Sequence, residues 1–192
     1  MILKEAKPMI RNNTFLKQIV NYKDLLIYKK SICISDIAYY FANHFYAKGD
    51  RTIDQMVQAA RSCKQNIVEG NAAAPTSRET EIKLTNVAKA SLQELLEDYK
   101  DYLRQHGEEQ WCEEDIRFKQ TRNVCSKHNE SNFFISRLPQ RSAATIANIA
   151  IIMICQEDYL LYRYIERLKQ NFLEQGGIRE EMSRARKEYR GY

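Results

Sequence analysis

The chain has 192 residues and a formal net charge of +5, with 29% charged and 44% apolar residues, six Gly and three Pro. That length suffices for one well-packed core and falls short of two ordinary domains, and the apolar share excludes a disordered chain. Few breakers among many Ala, Leu, Ile, Glu, Lys, Arg and Gln predict an all-α protein.

The start, "MILKEAKPMI", lacks the apolar stretch of a signal peptide. Residues 1–23, with five basic and one acidic residue, read as an N-terminal basic arm. A first helix is predicted over 24–47, where Leu25, Tyr28, Ile32, Ile37, Phe41 and Phe45 recur at helical intervals and Gly49 follows as a stop. Asp50 then caps a second helix, 51–70, with Ile53, Met56, Val57, Ala60, Ile67 and Val68 on one stripe and Gly70 at its end. In "PTSRE", Thr76 and Glu79 have the spacing of a capping box, opening a third helix over 77–106. Its apolar face runs through Leu84, Ala88, Ser91, Leu95 and Tyr102, widened by Val87, Leu92, Leu96 and Leu103.

Thirty helical residues span roughly 45 Å, so this helix needs neighbours of similar length. A fourth helix, 142–175, carries Ile146, Ile149, Ile152, Cys155, Tyr159, Tyr162, Ile165 and Leu168, and its first half is apolar nearly all round. The run Ala143 to Cys155 is shorter than the roughly 18 residues of a membrane helix. No membrane span is expected. Long amphipathic helices joined by short turns predict an antiparallel up-down four-helix bundle over 24–175. A basic connector, 107–141, would join helices three and four, and after Gly176 and Gly177 a short amphipathic C-terminal helix would occupy 176–192, with Ile178, Met182 and Ala185 on one side.

Five cysteines without regular spacing or an export signal fit reduced thiols in the cytoplasm. Cys33, Cys63 and Cys155 fall among apolar helical positions and read as core filler.

The run Asn66-Ile67-Val68-Glu69-Gly70, preceded by Ala59-Ala60-Arg61 and followed by the Ser-Arg-Glu-Thr-Glu opening of helix three, resembles the signature of a bacterial four-helix-bundle family. That family includes proteins encoded in intervening sequences of large-subunit ribosomal RNA genes and is similar to the accessory variability determinants of diversity-generating retroelements. The resemblance covers residues 24 to 106. The later stretch "QEDYLLYRYIERLKQNFLEQGGIREEM" resembles the C-terminal suffix of one branch of the family. Val68 replaces a more usual Ala, and Cys63-Lys64-Gln65 replaces a Ser/Pro-rich turn. The resemblance implies a homo-oligomer, a pentameric barrel in the retroelement members, whose basic surface binds RNA, DNA or a reverse transcriptase.

Charge supports that reading from below. Residues 117–141 carry six basic residues and one acidic, whereas 71–116 carry five basic and eleven acidic. Arg117, Lys119, Arg122, Lys127, Arg137 and Arg141, with Phe133 and Phe134 between them, form a candidate phosphate-contacting strip, set against the alternative of a merely solvated loop. His106, Cys112, Cys125 and His128 are weak candidates for zinc, because their H-x5-C and C-x2-H spacings lack the usual C-x2-C knuckle. His44 reads as a helix-face histidine, and Glu69 as an acceptor of backbone amides at the corner or a contact to a neighbouring subunit. No Glu-x-x-His, G-x-x-x-x-G-K, H-E-x-x-H or G-x-S-x-G occurs. The expected protein is a nonenzymatic accessory factor without a cofactor, the alternative being a protein-binding adaptor that holds no nucleic acid.

Overall fold

The computed structural model describes residues 20–191 and is all-helical, with no strand among them. Most of the expected basic arm, 1–23, and Tyr192 lie outside the described residues. After a 3-10 turn at Tyr22–Asp24, the elements are α1 (Leu26–Phe45), α2 (Arg51–Ala73), α3 (Arg78–Gln105), α4 (Ile116–Lys127), α5 (Ser131–Ile135), a second 3-10 turn (Leu138–Gln140), α6 (Ala143–Gln175) and α7 (Ile178–Arg190).

Local chemistry sets most of these ends. Asp50 accepts from the Thr52 amide at 2.8 Å, and Ser142 accepts from the Thr145 amide at 3.3 Å, each satisfying a donor that the first helical turn leaves free. The cap of α3 lies one residue later than the sequence suggests. Ser77, rather than Thr76, accepts from Thr80 N at 3.1 Å, while the Thr76 hydroxyl donates back to Ala73 O. Gly49 follows α1 at φ 92°, a left-handed conformation that side chains resist.

Helix α2 runs three residues past Gly70, so this glycine does not end it. Its value is close approach. A Cβ at Gly70 would stand 3.3 Å from Glu81 O and 3.5 Å from the Leu84 Cβ. About two turns further along the same seam Ser62 and Ser91 share a 2.8 Å hydrogen bond across α2 and α3. Gly70→Val is expected to cost about 2 kcal/mol by forcing the two helices apart, while Gly70→Ala stays near neutral as helix propensity offsets the tight contact. Urea midpoints of the two variants decide; an unaffected Val variant would refute the close approach.

The long helices pack α1 on α2, α2 on α3, α3 on α6, and α6 on α1. Between α3 and α6 the partners run in opposite senses: Tyr164 donates to Glu81, while Asp158 pairs with Lys89 at 2.8 Å and accepts from Gln93 at 2.6 Å. The core between them holds Phe41, Met56, Leu92, Leu95, Tyr99, Met153, Ile154 and Leu161. Phe41 sits among the rings of Phe45, Tyr46, Tyr99 and Tyr102.

Two stripes differ from expectation. On α1 the buried positions are Ile27, Lys30, Ser31, Cys33, Ile34, Ile37, Ala38, Phe41 and Ala42, so Leu25, Tyr28 and Ile32 lie at the core's edge. On α6 the buried line beyond Ile154 passes through Glu157, Leu161 and Ile165, whereas Cys155, Tyr159 and Tyr162 are exposed. Val87 on α3 is likewise exposed. The stretch from Ala143 is long and apolar enough by composition to cross a membrane, against the sequence expectation, but 61% of its most apolar window is buried inside the fold.

Candidate nucleic-acid interface

The expected connector is not an open loop. It forms α4, α5 and the second 3-10 turn, with α4 packed on α6 and α5 on α1. This outer layer explains why α6 is buried without interruption from Ile146 to Ile154.

Three polar side chains hold the layer down. Asn148, 1% exposed in the most apolar run of the chain, accepts from the Trp111 amide at 2.8 Å and donates to the Glu109 and Ala144 carbonyls, each at 2.9 Å. Gln156 donates to the Arg122 carbonyl at 2.8 Å. Lys30, 3% exposed on α1, donates to the Cys125 carbonyl at 2.6 Å near the end of α4. Burial lowers the Lys30 pKa, opposed by the nearby Cys125, Glu157 and Cys33. Sequence reasoning missed all three as positioning groups. A signal existed for Lys30, which lies three residues after Ile27 and four before Ile34 on the buried face.

Glu157 lies deeper still. It is 0% exposed, and neither carboxylate oxygen has a hydrogen-bond partner among the described residues. Burial pushes its pKa well above the usual carboxylate range, with Lys30 pulling the other way. Burial so complete favours the protonated form, since an ionised carboxylate without a hydrogen-bond partner would carry a large desolvation penalty.

All six candidate phosphate contacts are exposed. Arg117 is engaged: Asp115 and Glu109 take its guanidinium, which also lies 5.2 Å from the Trp111 ring centroid. Lys119 donates to the Glu114 carbonyl at 2.9 Å. Arg137 lies 3.9 Å over the Phe133 ring, whose centroid is 3.6 Å from that of His128 at an interplanar angle of 7°. Two planar groups this close to one centroid must occupy opposite faces, so Phe133 is sandwiched between imidazole and guanidinium. Arg122, Lys127 and Arg141 make no side-chain hydrogen bond or ion pair among the described residues. Lys119 and Arg122 share a groove of about 610 Å³ between α4 and α6 with Phe118, Ile152 and Tyr159, while the other four basic residues stand outside it.

The Cys/His candidates are dispersed. Cys125 is buried against α1 with its thiol pushed up to about 12 by burial, Cys112 is exposed, His106 stacks on Tyr102 and His128 on Phe133. Among the described residues no three His, Cys, Asp or Glu side chains gather so as to hold a metal. Expected roles for Cys125 and Cys155 are thus exchanged: the first fills core and the second faces out.

Of the corner signature, Ile67 and Gly70 are buried, and Asn66 donates to the Ser62 carbonyl at 2.9 Å within α2. Glu69 is exposed and accepts no backbone amide among the described residues, so that expected role falls away. His44 stacks on Tyr40 at 3.9 Å, a helix-face histidine. In comparisons with known proteins, no family description, no characterised relative and no solved structure matches this chain.

Proposed function

We propose that the protein is a nonenzymatic, homo-oligomeric, cytoplasmic accessory factor that binds RNA or DNA through the basic layer over α6. Its frame is an antiparallel up-down four-helix bundle, supported by the closed ring of contacts α1 to α2 to α3 to α6 and back to α1. The observation that carries the binding role is the presentation of three exposed and uncommitted cations on a fixed backbone: Arg122 and Lys127 on α4, which Gln156 and Lys30 hold down, and Arg141 next to the Ser142 cap of α6. Cations carried on a fixed backbone meet phosphates without the cost of ordering a loop, and binding through them is sequence-tolerant and salt-dependent. The sandwiched Phe133 leaves neither ring face free, which favours backbone contact over base stacking.

Gel shifts with single-stranded and duplex oligonucleotides test the reading. Arg122→Glu, Lys127→Glu and Arg141→Glu together are expected to abolish binding at low salt, whereas Arg117→Glu, already engaged by Asp115 and Glu109, has a smaller effect. Affinity should fall steeply with added salt, by roughly one unit of log–log slope per phosphate contact. Equal affinity of the triple variant and the unaltered protein would reject the interface. A protein that binds no nucleic acid at low salt would instead favour the adaptor reading, to which the exposed Leu26 and Tyr159 beside the α4–α6 groove lend support.

A further inference from the structure

The helix α7 has no buried residue. Its apolar side chains nevertheless fall in one line, Ile178, Met182, Ala185 and Tyr189, at alternating spacings of four and three. At about 100° per residue, Arg179, Arg186 and Arg190 flank that line on one side, and Glu181 and Glu188 on the other. The chain's own bundle engages α7 through Glu181, which pairs with Arg78 at the start of α3, and through Arg184, which donates to the Gln175 carbonyl at the end of α6. Met182 and Tyr189 remain exposed, beside Arg179, Arg186 and Arg190, none of which has a partner among the described residues.

The complement lies at the other end of the molecule. Residues 108–115 hold five acidic residues and no basic one. Arg117 engages Glu109 and Asp115, but the carboxylates of Glu108, Glu113 and Glu114 are exposed and uncommitted among the described residues, next to Ile116, which is 65% exposed. This segment is fixed to the N-terminal part of α6 by Asn148, while α7 follows the C-terminal end of α6 and is held at the first residue of α3. The length of α3 separates the two surfaces by roughly 40 Å, so they cannot meet within one chain.

We infer that α7 of one copy docks on the acidic 108–116 segment of the next, its Arg179, Arg186 and Arg190 facing Glu108, Glu113 and Glu114, and its Met182 and Tyr189 covering Ile116. The partner is a second copy of this chain, and the inference rests on the homo-oligomeric reading above. Joining opposite ends lets two copies lie antiparallel about a two-fold axis with the contact made twice, or lets copies link head to tail into a ring or filament.

Charge reversal tests this on the full chain. One variant carries Arg179→Glu, Arg186→Glu and Arg190→Glu; the second carries Glu108→Lys, Glu113→Lys and Glu114→Lys. All six positions are exposed, and circular dichroism of each variant checks that helicity is retained. By light scattering, the unaltered protein is expected as a multiple of the chain mass that shrinks between 0.1 and 0.5 M salt, and each variant alone at the mass of one chain. The two mixed should recover an oligomer, because the acidic α7 of the first variant then meets the lysine-bearing segment of the second, while the second's unaltered α7 meets the first's unaltered acidic segment. Variants that keep the full oligomer mass would overturn this interface and leave the homo-oligomeric reading standing. An unaltered protein of single-chain mass would overturn both. Monomeric variants that stay monomeric on mixing would reject the charge pairing.

Discussion

Glu157→Met is expected to raise stability by about 2 kcal/mol at neutral pH, an outcome opposite to that of most core substitutions. The carboxyl is fully enclosed with both oxygens unpartnered among the described residues, so its removal forfeits no hydrogen bond there, and a methionine of similar volume fills the space. The gain should depend on pH. Burial raises the folded-state pKa, so the native protein keeps this proton after the unfolded chain has released its own near pH ~4.3. The wild-type carboxyl therefore contributes its full stability below that pH and loses it as pH rises toward the folded pKa, by about 1.4 kcal/mol per unit. Glu81 and Asp98, also pushed up chiefly by burial, are common to both proteins and cancel in the difference. Urea unfolding from pH 5 to 8 should show the advantage of the variant growing with pH. Parallel profiles, or a less stable variant throughout, would mean that the carboxyl is satisfied in solution.

Asn148→Ala should cost about 3 kcal/mol, since it strips partners from the Trp111 amide and the Glu109 carbonyl and leaves a void in the most tightly enclosed stretch of α6. The only tryptophan of the chain, Trp111, sits at the detached point and reports it by fluorescence. Asn148→Asp should lose no less, because it keeps the acceptor for Trp111 N but sets a buried carboxylate oxygen against the Glu109 and Ala144 carbonyls. A variant that loses stability with no change at Trp111 would show that Asn148 acts only as packing. The same substitution should weaken nucleic-acid binding, since it loosens the layer that carries Arg122 and Lys127.

The helix ends were largely legible, because capping chemistry is local. Asp50, Ser142, Gly49 and the glycine pair at 176 and 177 announce their turns within three or four residues. The phase of α6 was not. Glu157 interrupts the true buried line of Ile154, Leu161 and Ile165, so Cys155, Tyr159 and Tyr162 look like the continuation, and only the tertiary packing shows that an acid has been enclosed. Helix α4 escaped for a different reason. Its buried contribution is essentially Cys125, with Phe118 half-covered, too few apolar positions to set a period. The signals that place it, Asn148, Gln156 and Lys30, are distant in sequence and read as interruptions until their carbonyl partners are known. The six basic residues are all exposed, but which of them are already engaged is visible only in three dimensions.

The seam between α1 and α4 also contains a built-in gauge. Cys33 and Cys125 are both enclosed, their thiols pushed to about 11 and about 12 by burial, whereas Cys112 and Cys155 face solvent. Alkylating reagents act on thiolates, so the inner pair stays silent while the layer is seated and becomes reactive when it lifts. The molecule thereby records in its own sulfur chemistry how often its outer coat opens.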